Sequence, residues 1–229
     1  MKEIYVTTAN SNRCTEICHE LADPAAALGP TLAVFSGDAG RGKTEFAKQH
    51  ASRTDAVYVP PLKCRTPTML LRDICFELIA ERPYTSQACI DEIERATQQR
   101  RRLVFVDEAD LLPASQVEML RNLNDRYAWP VVFIVEKGGL RARSKRVNSR
   151  VRATHEFSEL AQADLYQLYS KALGVDLAAD VLQVLLDGCG GDWRPAKLHA
   201  QDAEQAMRAS GVDAVTLEMA EAIVNNGHR

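Results

Sequence analysis

Thr31-Leu32-Ala33-Val34-Phe35-Ser36-Gly37-Asp38-Ala39-Gly40-Arg41-Gly42-Lys43-Thr44 is the stretch on which the reading of the chain turns. A compact apolar run, Thr31 to Ser36, has the look of a buried strand and leads directly into a glycine-rich loop. The loop matches Gly-x-x-x-x-Gly-Lys-Thr, and a chance match in a chain of this length is roughly a one-in-a-hundred event. Its setting strengthens the signal, because a helix is predicted from Lys43 to about Arg53 and the motif requires a strand before it and a helix after it. Glycines let backbone N–H groups turn inward around phosphate oxygens. The start of the helix adds its positive dipole end. Gly37, Asp38, Ala39, Gly40, Arg41, Gly42, Lys43, Thr44 and the following Glu45 therefore form the candidate nucleotide-binding segment. Lys43 is expected to reach the β- and γ-phosphates of ATP, and the Thr44 hydroxyl to ligate Mg²⁺.

Such a loop needs a carboxylate at the end of a neighbouring strand. Leu103-Val104-Phe105-Val106 reads as a buried strand and ends in Asp107-Glu108. Asp107 is the candidate partner of Thr44 at Mg²⁺, and Glu108 the residue that orients and polarises an attacking water. The adjacent glutamate points to hydrolysis rather than transfer to another acceptor. Two arginines are candidates for stabilising charge in the transition state. Arg150 lies in a basic segment, and Arg194 closes Gly190-Gly191-Asp192-Trp193-Arg194 at the start of a predicted helix.

Outward from the loop, apolar periodicity alternates between strands and helices. Ile4 to Val6 reads as extended and Arg13 to Leu28 as a helix. Strands are predicted over 31–36, 56–59, 103–106 and 131–135. Helices are predicted over 43–53, 66–81, 86–101 and 113–127. This alternation predicts an α/β core, a parallel sheet with helices on both faces. After about Ser158 strand signals stop, and helices over 162–173, 177–188, 193–209 and 216–225 predict a small all-helical subdomain. The expected domains are 1–158 and 159–229. Leu165, Leu168, Leu182, Leu185, Leu186 and Leu198 are its expected core, and His155 and His199 are expected to be structural.

The 229 residues carry a net charge of −3, with 46% hydrophobic and 26% charged residues. Bulk electrostatics give no drive toward nucleic acid, so any such contact must come from a local patch. Six cysteines without a C-x-x-C pair read as free thiols, not as a zinc site or a disulfide framework. No leader segment is expected, and no apolar run approaches the roughly 20 residues of a membrane span.

As an ordered set, strand-GDAGRGKT-helix, LVFVDEAD, a fourth strand, a Ser149-Arg150 segment and a helical tail opening with GGDWR resemble the AAA+ ATPases. The resemblance covers nearly the whole chain. It implies an α/β core with a helical lid, with ATP and Mg²⁺ held at the subunit interface of a ring or filament. Carried over by position, Arg194 matches sensor 2. Arg150 matches the arginine finger, with Arg146 as the alternative. Asn10, in the segment Thr7 to Asn10, falls where the family's N-terminal segment borders adenine. One departure is Glu136, which stands near the place of the usual polar sensor 1 residue after the fourth strand and implies slow hydrolysis.

Within AAA+ the chain looks most like the transposition ATPases of the phage Mu B and TnsC type, through Thr7, Thr8 and Asn10, the stretch 61–73 and VDEAD. That likeness implies assembly of the chain with itself on double-stranded DNA, and a transposase as partner. Lys63, Arg65 and Arg72 are one candidate DNA surface. The other is Lys137 to Arg152, where Arg141, Arg143 and Lys145 stand among seven basic residues and no acidic one. Phosphate contacts with little sequence preference are expected. Arg100 to Arg102 are read as a helix C-terminus meeting its own dipole. Two other readings stay open: a helicase-loader or initiator-like ATPase, and a signalling ATPase that binds only proteins. The expected location is the cytoplasm of a bacterial cell, or of a host if the chain is phage-encoded.

Overall fold

A computed structural model of the chain describes residues 4–23, 25, 28–61, 66–139 and 145–226, and of Lys145 the backbone only. The apolar run before the glycine loop forms β1 (Leu32–Ser36). Its neighbours are β2 (Val57–Val59), β3 (Val104–Val106), β4 (Val131–Ile134) and β5 (Val151–Glu156), the last preceded by the short helix α6 (Lys145–Asn148). All pair in parallel in the order β2-β3-β4-β1-β5. Val104, Phe105, Val131, Val132 and Phe133 are fully buried, as expected of a sheet covered on both faces.

Strand periodicity sorts the side chains between two cores. On one face, Leu32, Val57, Val59, Val104, Val106, Val131 and Phe133 meet α3 (Pro67–Ile79), α4 (Ser86–Gln99) and α5 (Ala114–Tyr127). On the other, Ala33, Phe35, Phe105, Val132 and Ile134 meet α1 (Ala9–Ala22) and α2 (Lys43–Arg53). Each large apolar side chain buried this way contributes about 1.5–3 kcal/mol. The expected α/β fold, a parallel sheet with helices on both faces, is the observed one.

Three local expectations are corrected. A fifth strand, β5, lies beside β1 where no strand was predicted, and its first two residues end the basic segment Lys137 to Arg152. It is an edge strand in which Arg152, Thr154 and Glu156 are exposed, so the apolar run that marks a buried strand is missing. The first helix covers Ala9–Ala22, where Arg13 to Leu28 was read. Arg101 and Arg102 do not cap their own helix. Arg101 donates to the Ala128 carbonyl at the end of α5, at 3.0 Å, and Arg102 to the Leu78 carbonyl in the last turn of α3, at 2.7 Å. They serve the unpaired carbonyls of neighbouring helices instead.

Helix α3 ends on Ala80, which takes the left-handed conformation (φ 58°) while its N–H donates to Phe76 O. A side chain there costs energy that glycine would not. Ala80→Gly is expected to stabilise the chain by about 0.5–1 kcal/mol, read as a higher urea midpoint.

By packing, the chain divides into two units: residues 10–38 with 43–157, and residues 4–9, 39–42 and 158–226. The second unit contains α7 (Gln162–Leu173), α8 (Ala179–Cys189), α9 (Trp193–Ser210) and α10 (Leu217–Asn226). Its core holds Leu165, Leu168, Tyr169, Leu182, Leu185 and Ile223. Leu198 is a correction: it is 59% exposed, because the buried stripe of α9 runs through Ala196, His199, Ala200 and Ala203, one residue out of phase with it. Among the described residues, no helix is long and apolar enough to cross a membrane.

Candidate active site

In a parallel sheet the loops after β1, β3 and β4 leave from the same edge, where α/β folds place their chemistry. In the first unit, Gly37 follows β1 with a φ of +150°, and a Cβ there would lie 3.0 Å from the Phe157 carbonyl oxygen. Phe157 N in turn donates to Ser36 O at 2.7 Å, holding the strand end that launches the loop. Lys43 opens α2, and its Nζ donates to the carbonyls of Gly37 and Asp38 at 2.7 and 2.8 Å. Burial pulls the ammonium below the ordinary lysine range, and the carboxylates of Glu136, Asp107, Asp110 and Asp38 oppose that shift.

Asp107 is 5% exposed. A buried carboxylate is costly unless it is hydrogen-bonded. Here Oδ2 accepts from Thr44 Oγ1 at 2.9 Å and from the Tyr58 hydroxyl at 2.7 Å, and Oδ1 accepts from Glu108 N at 2.9 Å. Burial and the Asp107 hydrogen bond push the Tyr58 phenol well above its ordinary range. Glu108 is exposed and sits in the left-handed region (φ 48°, ψ 41°). That costs a non-glycine residue about 1–2 kcal/mol, the kind of strain that gathers at functional sites. After β4, Glu136 N donates to Asp110 Oδ1 at 3.4 Å and Gly139 N to Glu136 O at 2.9 Å, which ties the Glu136 loop to the Asp107–Asp110 run.

The apex of the glycine loop belongs to the second unit. Arg41 Nη2 meets Glu159 Oε1 at 3.0 Å, and its Nη1 donates to the carbonyls of Gly190, at 3.2 Å, and Gly191. Trp193 N donates to Gly40 O at 3.0 Å. Asp192 caps α9 through Oδ1, which accepts from Arg194 N at 2.7 Å. Gly40 has φ +75°, and a Cβ there would collide with the Asp192 carboxylate. Gly40→Ala is expected to destabilise this unit by about 1–2 kcal/mol from the backbone alone. Urea denaturation should show a smaller cost in an Asp192→Ala background, where the carboxylate is gone.

The structure thus brings Gly37, Asp38, Lys43, Thr44, Asp107 and Glu108 together in one unit, and packs Ala39 to Gly42 with the GGDWR segment in the other. Glu45 is exposed in the first turn of α2. Asn10 is buried, with its carbonyl oxygen 3.1 Å from His155 Nε2. Arg150 is half-exposed, and its Nε lies 3.2 Å from Asp125 Oδ2 on α5. Arg146 and Arg194 are exposed. Arg72 is partly buried, with its guanidinium 6.0 Å from the centre of the Tyr84 ring. Lys63, Arg65, Arg141 and Arg143 lie outside the described residues, as does the side chain of Lys145. Tyr58, Asp110, Glu159 and Asp192 are contributors that sequence reasoning passed over. Asp110 and Asp192 were visible in DEAD and GGDWR, whereas a tyrosine in a three-residue strand carries no signal of its own.

Among known proteins, the chain is 28% identical over 164 residues to the ATP-dependent target DNA activator B of Escherichia phage Mu, a match covering 69% of this chain and 51% of that protein. The same values hold for the protein of that name from Escherichia phage D108. The chain therefore spans about half the length of the curated relatives it matches. Among solved structures, the Aeropyrum pernix ORC2 protein in ADPNP-ADP complexes superposes with a TM-score of 0.70 at 14% identity, over 98% of this chain and 70% of that one. The Thermotoga maritima RuvB Holliday junction branch migration motor gives 0.64 at 14% identity, over 96% and 69%. The Aeropyrum pernix ORC1 protein in complex with DNA gives 0.63 at 18% identity, over 98% and 66%. These likenesses show the fold. Residues 27–143, more than half of the chain, match the AAA domain, and the chain belongs to that family.

Proposed function

We propose that the chain is an ATP-dependent, largely non-sequence-specific DNA-binding ATPase that assembles with itself on duplex DNA, selects target DNA and activates a transposase. The observation that carries the nucleotide half is the Thr44–Asp107 hydrogen bond at 2.9 Å, flanked by Lys43 on the loop carbonyls. A hydroxyl and a carboxylate meeting at one point beside a lysine-capped glycine loop suit Mg²⁺ and a triphosphate. The DNA half rests on the relatives that are ATP-dependent target DNA activators.

In this reading the backbone N–H groups of Gly37 to Thr44 bind the phosphates, and Lys43 exchanges its loop carbonyls for β- and γ-phosphate oxygens. Thr44 and Asp107 hold Mg²⁺, which when bound neutralises charge on those oxygens. Glu108 orients the attacking water and takes its proton. Glu136, in place of a neutral polar residue, adds negative charge facing Lys43 and slows the reaction. Arg194 acts as sensor 2, and Arg150 as the finger supplied to a neighbouring subunit. Asn10 borders the adenine. Basic residues of 137–152, together with Lys63, Arg65 and Arg72, contact DNA phosphates, and repetition along an assembly multiplies a modest affinity per subunit.

Steady-state ATP hydrolysis with and without random-sequence duplex tests this reading. Slow hydrolysis that duplex accelerates, and that rises more than linearly with protein concentration, is the expected result. Hydrolysis indifferent to duplex and to protein concentration would contradict it. Stimulation confined to single strands would favour the initiator-like reading instead.

A further inference from the structure

The Asp107 carboxylate carries one hydroxyl more than phosphate and metal binding require. Thr44 at 2.9 Å and Tyr58 at 2.7 Å both donate to the same oxygen, Oδ2, while Oδ1 is held by Glu108 N at 2.9 Å. In the nucleotide reading Thr44 turns its hydroxyl oxygen to Mg²⁺. Among the described residues, Tyr58 is then the side chain still donating to Oδ2. Its placement is constrained from three sides. Tyr58 is the middle residue of β2, in register with Phe105 of β3, the strand that ends at Asp107. Its ring packs against the core beneath α2. Lys48 of α2 places its Nζ 5.5 Å from the ring centre. A phenol on a rigid ring in a sheet fixes its oxygen in place and keeps its O–H near the ring plane, unlike a serine or threonine hydroxyl, which moves with its side-chain rotamer.

We propose that Tyr58 is a positioning residue for Mg²⁺, holding Asp107 Oδ2 toward Thr44 so that the carboxylate meets the metal already aligned. Partners of metal-binding carboxylates fix orientation in this way, and their loss typically weakens metal affinity by about 10- to 100-fold. The inference rests on the nucleotide reading and adds to it a residue outside the loop and the Asp-Glu pair.

Binding of a fluorescent ATP analogue to the full chain, titrated with Mg²⁺ and repeated in EDTA, separates the two. The wild type tests the nucleotide reading: no Mg²⁺-dependent gain in affinity sinks that reading, and the inference with it. Where the wild type shows the gain, Tyr58→Phe tests the inference. The Mg²⁺ concentration giving half the gain should rise roughly ten-fold, the lower end of that range. Affinity in EDTA should stay unchanged, which also shows that the variant is folded. In an Asp107→Ala background, Tyr58→Phe should add nothing, because its acceptor is gone. An unchanged Mg²⁺ requirement overturns the proposal. So does a loss that appears equally in EDTA, or one as large without the Asp107 carboxylate as with it, since each describes a merely structural tyrosine.

Discussion

Lys43→Ala is expected to weaken ATP binding by about 100-fold or more, since hydrogen bonds to charged groups contribute about 1.5–3 kcal/mol each and Lys43 is assigned to two phosphates. The fold should survive. The side chain's own partners are the Gly37 and Asp38 carbonyls, the second of them solvent-exposed, and the burial that pulls the ammonium below the ordinary lysine range offsets most of what they contribute, so the loss to stability should be only about 1 kcal/mol. Equilibrium titration with a fluorescent ATP analogue, beside a thermal melt, checks both halves. Because the proposed assembly is driven by ATP, the same variant should lose cooperative DNA binding. A variant that melts like the wild type and still binds ATP tightly would remove Lys43 from the site.

Glu108→Gln should divide the activity differently. Amide for carboxylate keeps the size and removes the proton acceptor, so hydrolysis should fall by roughly 10²- to 10⁴-fold. ATP affinity should be nearly unchanged, because Glu108 makes its described contact through its backbone N–H to Asp107, which glutamine retains. If hydrolysis disassembles the complex on DNA, Glu108→Gln complexes formed in ATP should outlast those of the wild type. Single-turnover hydrolysis and dissociation from labelled duplex measure the two effects. A variant that hydrolyses at the wild-type rate would move the role of general base elsewhere, with Glu136 the next carboxylate to examine.

The parts of the fold and site that were legible in the sequence are those in which a local pattern and a physical requirement coincide. Thr31 to Thr44 showed both a buried strand and a phosphate loop, because the glycines, the lysine and the apolar run are contiguous. Leu103 to Glu108 was legible for the same reason. β5 was hidden because an edge strand, exposed on alternate residues, does not need an apolar run; Val151, Ala153 and His155 are only partly buried. Leu198 was misplaced because apolar character says nothing of helical phase, and the phase of α9 is set by its small residues. Tyr58 was invisible for a further reason. Its meeting with Asp107 is made by strand pairing across 49 positions, and no local pattern records which strand becomes the neighbour of which.

The proposed function turns on ATP control of assembly on DNA. Its most direct measurement is fluorescence anisotropy of random-sequence duplex across a range of protein concentrations, with ATP and Mg²⁺, with ADP, and with no nucleotide. The expected result is cooperative binding in ATP that weakens steeply with salt, much weaker binding in ADP or without nucleotide, and none in Lys43→Ala with ATP. Equal binding in all nucleotide states, or no binding in any, would contradict it.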